Sequence, residues 1–328
     1  MNKDILKALL KRFVTSLLTL ILLVSFLFFL IRLSPGNPSQ KYLSAEFSPE
    51  LKEIVTTNFK LDQPIFEQYI NFVINIFKGD FGISYGYRQP VLSVVWQFLS
   101  FTLVFAALSF LTQIISAFYL ALRTIRGKGK SFDTVVLYLS LIVYAIPAFV
   151  LGLSLIYIFS VQLKVFPSSG LHSLDFESNL FFEKIADYFF HLFLPLITLS
   201  LAGIALFYKY LRESLEDVYK QNFILNLRAS GYDEKTILKK HVLPNAIRPL
   251  LSIAGVELGV LLGGALITEV IFSLPGMGRL MMDSIFARDY PLVVGCALIA
   301  GLLMIASNFL ADIIKMKIDK RLIKGLMS

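Results

Sequence analysis

Six apolar runs, residues 10–31, 98–122, 134–160, 189–208, 251–272 and 292–314, constrain this chain more than any other feature. Each is close to or beyond the ~20 residues that carry a helix across a ~30 Å hydrocarbon layer. Lipid cannot hydrogen-bond a peptide group, so only helices and closed barrels cross it, and barrel strands need only about ten residues of alternating pattern. The runs therefore predict an all-α integral membrane protein with six transmembrane helices. Composition agrees: 56% of the 328 residues are hydrophobic, only 16% are charged, and mean hydropathy is +0.71.

Charge then orients the spans. Of the 31 lysines and arginines, 21 fall in residues 1–12, 123–133, 209–250 and 315–328, and 10 are spread over the longer segments 32–97, 161–190 and 274–291. The positive-inside rule places both termini and the 209–250 loop in the cytoplasm of a bacterial-type inner membrane. The net charge of +8 follows from this topology and from anionic lipid, which argues against a nucleic-acid partner. The first run exceeds the ~7–15 residues of a secretory-signal core, and 31–35 offers no small-x-small cleavage pattern, so it is read as a span. Cys296 is the only cysteine, which excludes a disulfide or a cysteine metal site within one chain.

The chain divides into an N-terminal tail and first span (1–31), an extracytoplasmic cap (32–97), a five-span core (98–314) and a cytoplasmic tail (315–328). Turn signals punctuate the cap at Pro35-Gly36-Asn37-Pro38, Gln63-Pro64 and Gly79-Asp80-Phe81-Gly82. Between them lie helix-like stretches at 49–58 and 65–77. In the second, Phe66, Tyr69, Ile70, Val73, Ile74 and Phe77 keep the three-and-four spacing of an apolar stripe, as in a small folded unit outside the membrane. Gly129-Lys130-Ser131 imitates the end of a phosphate-binding loop, but Thr124 stands where that motif needs its first glycine, so the stretch reads as a short cationic loop. In the fifth span Gly255, Gly259 and Gly263 form a row that lets two helices approach closely, either within the chain or with a second subunit. Glu257 and Glu269 lie on or near this helix, toward its inner and outer ends, where solvation is open to both.

The 209–250 loop carries the densest information. Residues 211–229 read as an amphipathic helix, and Gly231 permits the left-handed turn that other residues resist. A second helix is expected over 233–242, with Asp233 and Glu234 at its start and Lys239, Lys240 and His241 near its end, as the helix dipole favours. Leu243-Pro244 is expected to stop it. Helix, turn, short helix, stop is a knob that another protein can grip.

The spacing from Gly231 to Leu243-Pro244 resembles the cytoplasmic signature of ABC importer permeases. Arg228-Ala229-Ser230-Gly231 and His241-Val242-Leu243-Pro244-Asn245-Ala246 are similar to the dipeptide, oligopeptide and nickel branch, although Leu225-Asn226-Leu227 stand where the general signature has Glu-Ala-Ala. The segments 29–38, 61–64 and 78–84 resemble the same branch, as do Glu269-Val270-Ile271-Phe272-Ser273-Leu274-Pro275-Gly276-Met277-Gly278-Arg279 and Arg288-Asp289-Tyr290-Pro291. The resemblance implies a non-catalytic permease without cofactor or metal that works with a second permease subunit, a different chain in the family pattern, two cytoplasmic ABC ATPases and an extracytoplasmic substrate-binding protein. It implies ATPase coupling through Arg228, Ala229, Gly231, Asp233, Glu234, Lys239, Lys240, His241, Leu243 and Pro244. It places the outer gate and binding-protein docking at Asp62, Gln63, Pro64, Gly79, Asp80, Gly82, Glu269, Pro275, Gly276, Gly278, Arg288, Asp289, Tyr290 and Pro291. Peptide is the first substrate expectation and nickel or another small solute the second.

Two other classes compete. A secondary transporter would need broken helices or charged midplane pairs, whereas these spans read as largely continuous and poor in charge. An intramembrane enzyme would need a catalytic constellation, and His172, His191 and His241 lie too far apart in the chain to argue for one.

Overall fold

Lipid obliges a backbone to satisfy its own hydrogen bonds, and the apolar runs do so as helices. The computed structural model describes residues 3–33, 64–125, 131–178, 180–263 and 265–318. In chain order it holds α1 (Lys3–Leu33), α2 (Ile65–Phe77), α3 (Val91–Ile125), α4 (Ser131–Ala145), α5 (Ala148–Leu155) and α6 (Phe181–Tyr219). Then come α7 (Asn222–Ala229), α8 (Glu234–Thr236), α9 (Leu243–Ala246), α10 (Leu250–Leu262), α11 (Leu266–Ile271), α12 (Met277–Ala287) and α13 (Tyr290–Ile318). The stretch expected as helix at 49–58 lies outside the described residues, as do Asp62, Gln63 and Gly264.

Among the described residues, five helical stretches are long and apolar enough to cross a membrane: Leu10–Phe29, Val91–Ile125, Phe181–Tyr219, Leu250–Ile271 and Tyr290–Met316. The third expected span is not one continuous helix. Ser131–Ala145 and Ala148–Gln162 meet at 104°, so the count reaches six only if this bent pair is one crossing. Pro147 causes the break: it has no N–H to donate, it disfavours helix at Ile146, and with φ −58° and ψ 137° it stands just outside the start of α5. Helix continuity therefore no longer argues against a secondary transporter.

Helices α3 and α6 form the centre, and α10 lies along α13. The glycine row meets a span of the same chain. A methyl group on Gly255 would stand 2.4 Å from Ala311 Cβ, and one on Gly259 would stand 2.6 Å from Ser307 Oγ. The Ser307 hydroxyl donates to the Gly255 carbonyl at 3.1 Å, a contact possible only because no side chain intervenes. Gly263 sits at the looser end, with a Cβ position 3.8 Å from Ala300 Cβ. Helix α1 is peripheral and is tied to α13 by Arg12 and Asp312 at 3.0 Å.

The stripe expected on α2 does not face one core. Tyr69 and Val73 turn toward the protein, Tyr69 Oη lying 2.6 Å from Ser25 Oγ, while Phe66, Ile70, Ile74 and Phe77 are exposed.

Replacing Gly255 with Leu forces side-chain atoms into the space held by Ala311. It is expected to destabilise the protein by at least the ~1–3 kcal/mol typical of overpacking. Thermal unfolding in detergent checks this, and an unchanged melting temperature would refute the close α10–α13 contact.

Candidate functional sites

The 209–250 arm is built from the inner extension of α6. That helix continues unbroken to Tyr219, so the amphipathic helix expected at 211–229 is divided at Lys220-Gln221 into the end of α6 and the start of α7. Leu211, Leu215 and Val218 of α6 pack with Ile224, Ile237, Leu238 and Val242 in one buried cluster that also takes in Ala117 and Ala121 of α3. The arm is thus a packed body resting on two spans.

A network that sequence reading missed fastens its base. Arg212 donates from Nε and Nη2 to the two Asp133 oxygens at 2.9 and 3.0 Å, and its Nη1 reaches Glu216 at 2.8 Å. Asp133 is buried in the first turn of α4. The only signal in the sequence was the i,i+4 pair Arg212 and Glu216; nothing there pointed to a partner 79 residues away.

The turn after α7 has the two bonds of a Schellman cap. Tyr232 N donates to Leu227 O at 3.1 Å and Gly231 N to Arg228 O at 3.0 Å, with Gly231 at φ +82°. A Cβ at Gly231 would meet nothing within 4 Å, so the demand for glycine is conformational rather than steric. Arg228 and Glu234 pair in a fork across this turn, with Nη2 to Oε2 at 3.3 Å, and Arg228 also lies over the Tyr219 ring. Asp233 caps α8 by accepting from Thr236 N at 3.1 Å. The hydrogen bonds from Thr236 hold the Asp233 carboxyl below its ordinary value. The cap is therefore complete above the unfolded carboxyl range of ~3.9 and is lost as pH falls through the lower folded value.

Leu243-Pro244 does not end the helix here. The helical path runs from Glu234 through a wide π segment, Ile237–Val242, into Leu243–Ala246. A π segment spaces its bonds by five residues, and it occupies the turn just before the proline, which has no N–H to offer and crowds the carbonyl four residues earlier. Lys239 and Lys240 therefore stand mid-helix and exposed rather than at its end, while His241 is half-buried edge-on to Tyr232. Ala229 and Pro244 are exposed and Leu243 is half-buried. A groove of ≈ 670 Å³ opens beside the arm, lined by residues including Tyr219, Lys220, Arg228, Glu234 and Lys235.

The second group of expected residues gathers at the opposite ends of α3 and α13. Glu269 lies at its centre with no exposed surface, so neither solvation nor direct docking describes it. Its Oε1 accepts from Thr102 Oγ1 at 2.9 Å, and its Oε2 accepts from Gly278 N at 2.7 Å and Arg279 N at 3.1 Å. Thr102 Oγ1 in turn accepts from Met277 N at 2.8 Å. Gly276 and Gly278 are required by this carboxylate: a Cβ on Gly276 would stand 2.1 Å from Glu269 Cδ, and one on Gly278 would stand 2.6 Å from Leu266 Cα.

Asp289 is likewise a buried tie. It accepts from Ser84 Oγ at 2.6 Å and Gly86 N at 2.9 Å, joining the 79–90 loop to the turn before α13. Arg288, exposed at φ +58°, ends α12, and the Gly82 Cβ position lies 3.9 Å from Pro291 Cβ. Tyr87 is exposed by surface area, yet partial desolvation of its phenol, with the Asp283 and Asp289 carboxylates nearby, raises it above its usual range. Of the residues expected at the gate, Pro64, Gly79, Asp80 and Arg288 are exposed, whereas Gly82, Pro275, Tyr290 and Pro291 are half-buried. Asp62 and Gln63 lie outside the described residues.

The chain belongs to the family of binding-protein-dependent transport system inner membrane components, which it matches over residues 113–324, with the family's N-terminal region matched over 5–106. It is 32% identical over 296 residues to the oligopeptide transport system permease protein AppB of Bacillus subtilis, covering 90% of this chain and 92% of that protein. It is 30% identical to the glutathione transport system permease protein GsiC of Escherichia coli strain K12, over 93% of this chain and 94% of that protein. Identity to the dipeptide transport system permease protein DppB of Lactococcus lactis is 29%, over 96% and 98%.

Gly276→Ala is expected to lower the melting temperature more than Glu269→Gln. The first drives a methyl into a carboxylate that cannot withdraw, an overpacking effect of about 1–3 kcal/mol or more, and the second keeps the shape while weakening three bonds. Equal melting temperatures for both variants and the parent would exclude the Glu269 tie.

Proposed function

We propose that this chain is a permease subunit of an ATP-driven importer of peptides, forming the translocation path with a second permease of a different sequence. Two cytoplasmic ABC ATPases bind the 209–250 arm, and an extracytoplasmic binding protein delivers substrate to the plate around 269–291. The chain carries no hydrolytic role of its own. Peptide is preferred because the relatives compared are named for oligopeptide, dipeptide and glutathione transport.

The observation that carries this reading is the glycine-capped turn set in a packed arm between α6 and α10. Helix α6 has 39 residues, which at ~1.5 Å per residue makes a rod of about 58 Å. A push delivered to Lys239, Lys240 and the exposed side of the turn reaches α6 through Leu211, Leu215 and Val218, and reaches the following span through Ala246 and Leu250. The excess of lysine and arginine in these segments supports a cytoplasmic side for the arm and both termini.

Two variants test it in the complete transporter. Gly231→Val should insert and assemble yet lose most peptide uptake, while ATP hydrolysis persists, because a β-branched residue strains the left-handed turn. Uptake equal to the parent would reject the coupling role. Lys239→Glu with Lys240→Glu should reduce ATPase co-purification, with the deficit shrinking as salt rises. Co-purification unchanged at low salt would remove the electrostatic part.

A further inference from the structure

Helix α2 shows three distinct flanks. One is turned to the protein: Tyr69, Phe72, Val73 and Ile76 pack against α1 and the start of α13, near Val24, Phe28, Val294 and Leu298. A second is an apolar row at i, i+4, i+8 and i+11, namely Phe66, Ile70, Ile74 and Phe77, with exposures of 71%, 41%, 43% and 63%. The third, at the same spacing one residue on, is Glu67, Asn71, Asn75 and Lys78, none of them buried. Two parallel rows of opposite character, neither of them buried, are the pattern of a helix lying along the boundary between hydrocarbon and water.

Depth supports the same occupant. Ser25, bonded to Tyr69, lies inside the apolar window Leu10–Phe29, and so does Phe28, whose ring packs against Tyr69 and Phe72. At ~1.5 Å per residue the Ser25 contact is about 6 Å inside the end of that window, so the packed flank of α2 is at the level of acyl chains rather than above them. A globular cap held clear of the membrane would not touch either residue. Exposed Trp96 and Tyr87, on and before the first turns of α3, are the residue types that collect at a membrane–water boundary.

We propose that α2 is an interfacial helix seated in the leaflet beside the 79–90 loop, with Phe66, Ile70, Ile74 and Phe77 among lipid acyl chains and the Glu67–Lys78 row facing headgroups and water. The occupant of the apolar row is lipid, because a protein partner would have to cover a row of phenylalanine and isoleucine while leaving the adjoining polar row wet.

Spin labels at introduced cysteines test this in the assembled transporter in nanodiscs, with partner subunits free of cysteine. The native Cys296 is fully buried. Labels at Ile70→Cys and Ile74→Cys should collide chiefly with oxygen, which partitions into lipid, and labels at Asn71→Cys and Asn75→Cys chiefly with a water-soluble nickel chelate. Chelate access at 70 and 74 would place the row in water. Low access to both reagents there would mean that protein covers it. Either result overturns the proposal. If either isoleucine variant fails to assemble, Phe66→Cys and Phe77→Cys read the same row.

Discussion

Hydrocarbon cannot bond to a peptide N–H, and the whole structure follows from how the chain meets that constraint. Where it is helical, the requirement is met internally. Where it leaves the helix after Ile271, a single carboxylate takes over. The Glu269 side chain receives Gly278 N and Arg279 N, and its own carbonyl receives Leu274 N at 2.8 Å. The N–H groups of the irregular stretch 272–276 go to carbonyls of Thr268, Val270, Glu269 and Leu274, the carboxylate takes the first N–H groups of α12, and Thr102 links that carboxylate to α3. Burying a charge-capable group is costly unless it is saturated with hydrogen bonds. Glu269 has three, which explains why it stays in the core with no exposed surface.

The spans and the turn at Gly231 were legible because their signals are local. Hydropathy accumulates over twenty adjacent residues, and a glycine between two helical patterns announces a left-handed cap within five. The ties were illegible for the complementary reason. Glu269 meets Thr102 across 167 positions and Asp289 meets Ser84 across 205, so each carboxylate, read alone beside a loop, resembled a solvated surface group. Asp133 hid in the same way. Pro147 and Pro244 show a subtler limit. Both were visible, yet one breaks its helix by 104° and the other is absorbed by a π segment, since the outcome depends on whether the neighbouring turn can widen.

The two ends of the molecule solve the same mechanical problem differently. At the arm, aliphatic packing joins α3, α6 and the helical turns around Leu238, and the Arg212 fork holds α4 alongside. At the plate, hydrogen bonds to two buried carboxylates bring together the 79–90 loop, α3, α12 and α13. Helix α6 runs as one helix, with Pro195 inside it, from the neighbourhood of the plate to the arm, so under the proposed coupling a displacement at one end has a continuous path to the other.

The closeness of α10 and α13 bears on where such displacement can be absorbed. With Gly255 and Gly259 against Ala311 and Ser307, and a hydroxyl clipped to a carbonyl, the two spans act as one laminated beam, stiffer than either helix alone. Relative movement is then left to joints such as the elbow at Ile146-Pro147, where the chain turns by 104°.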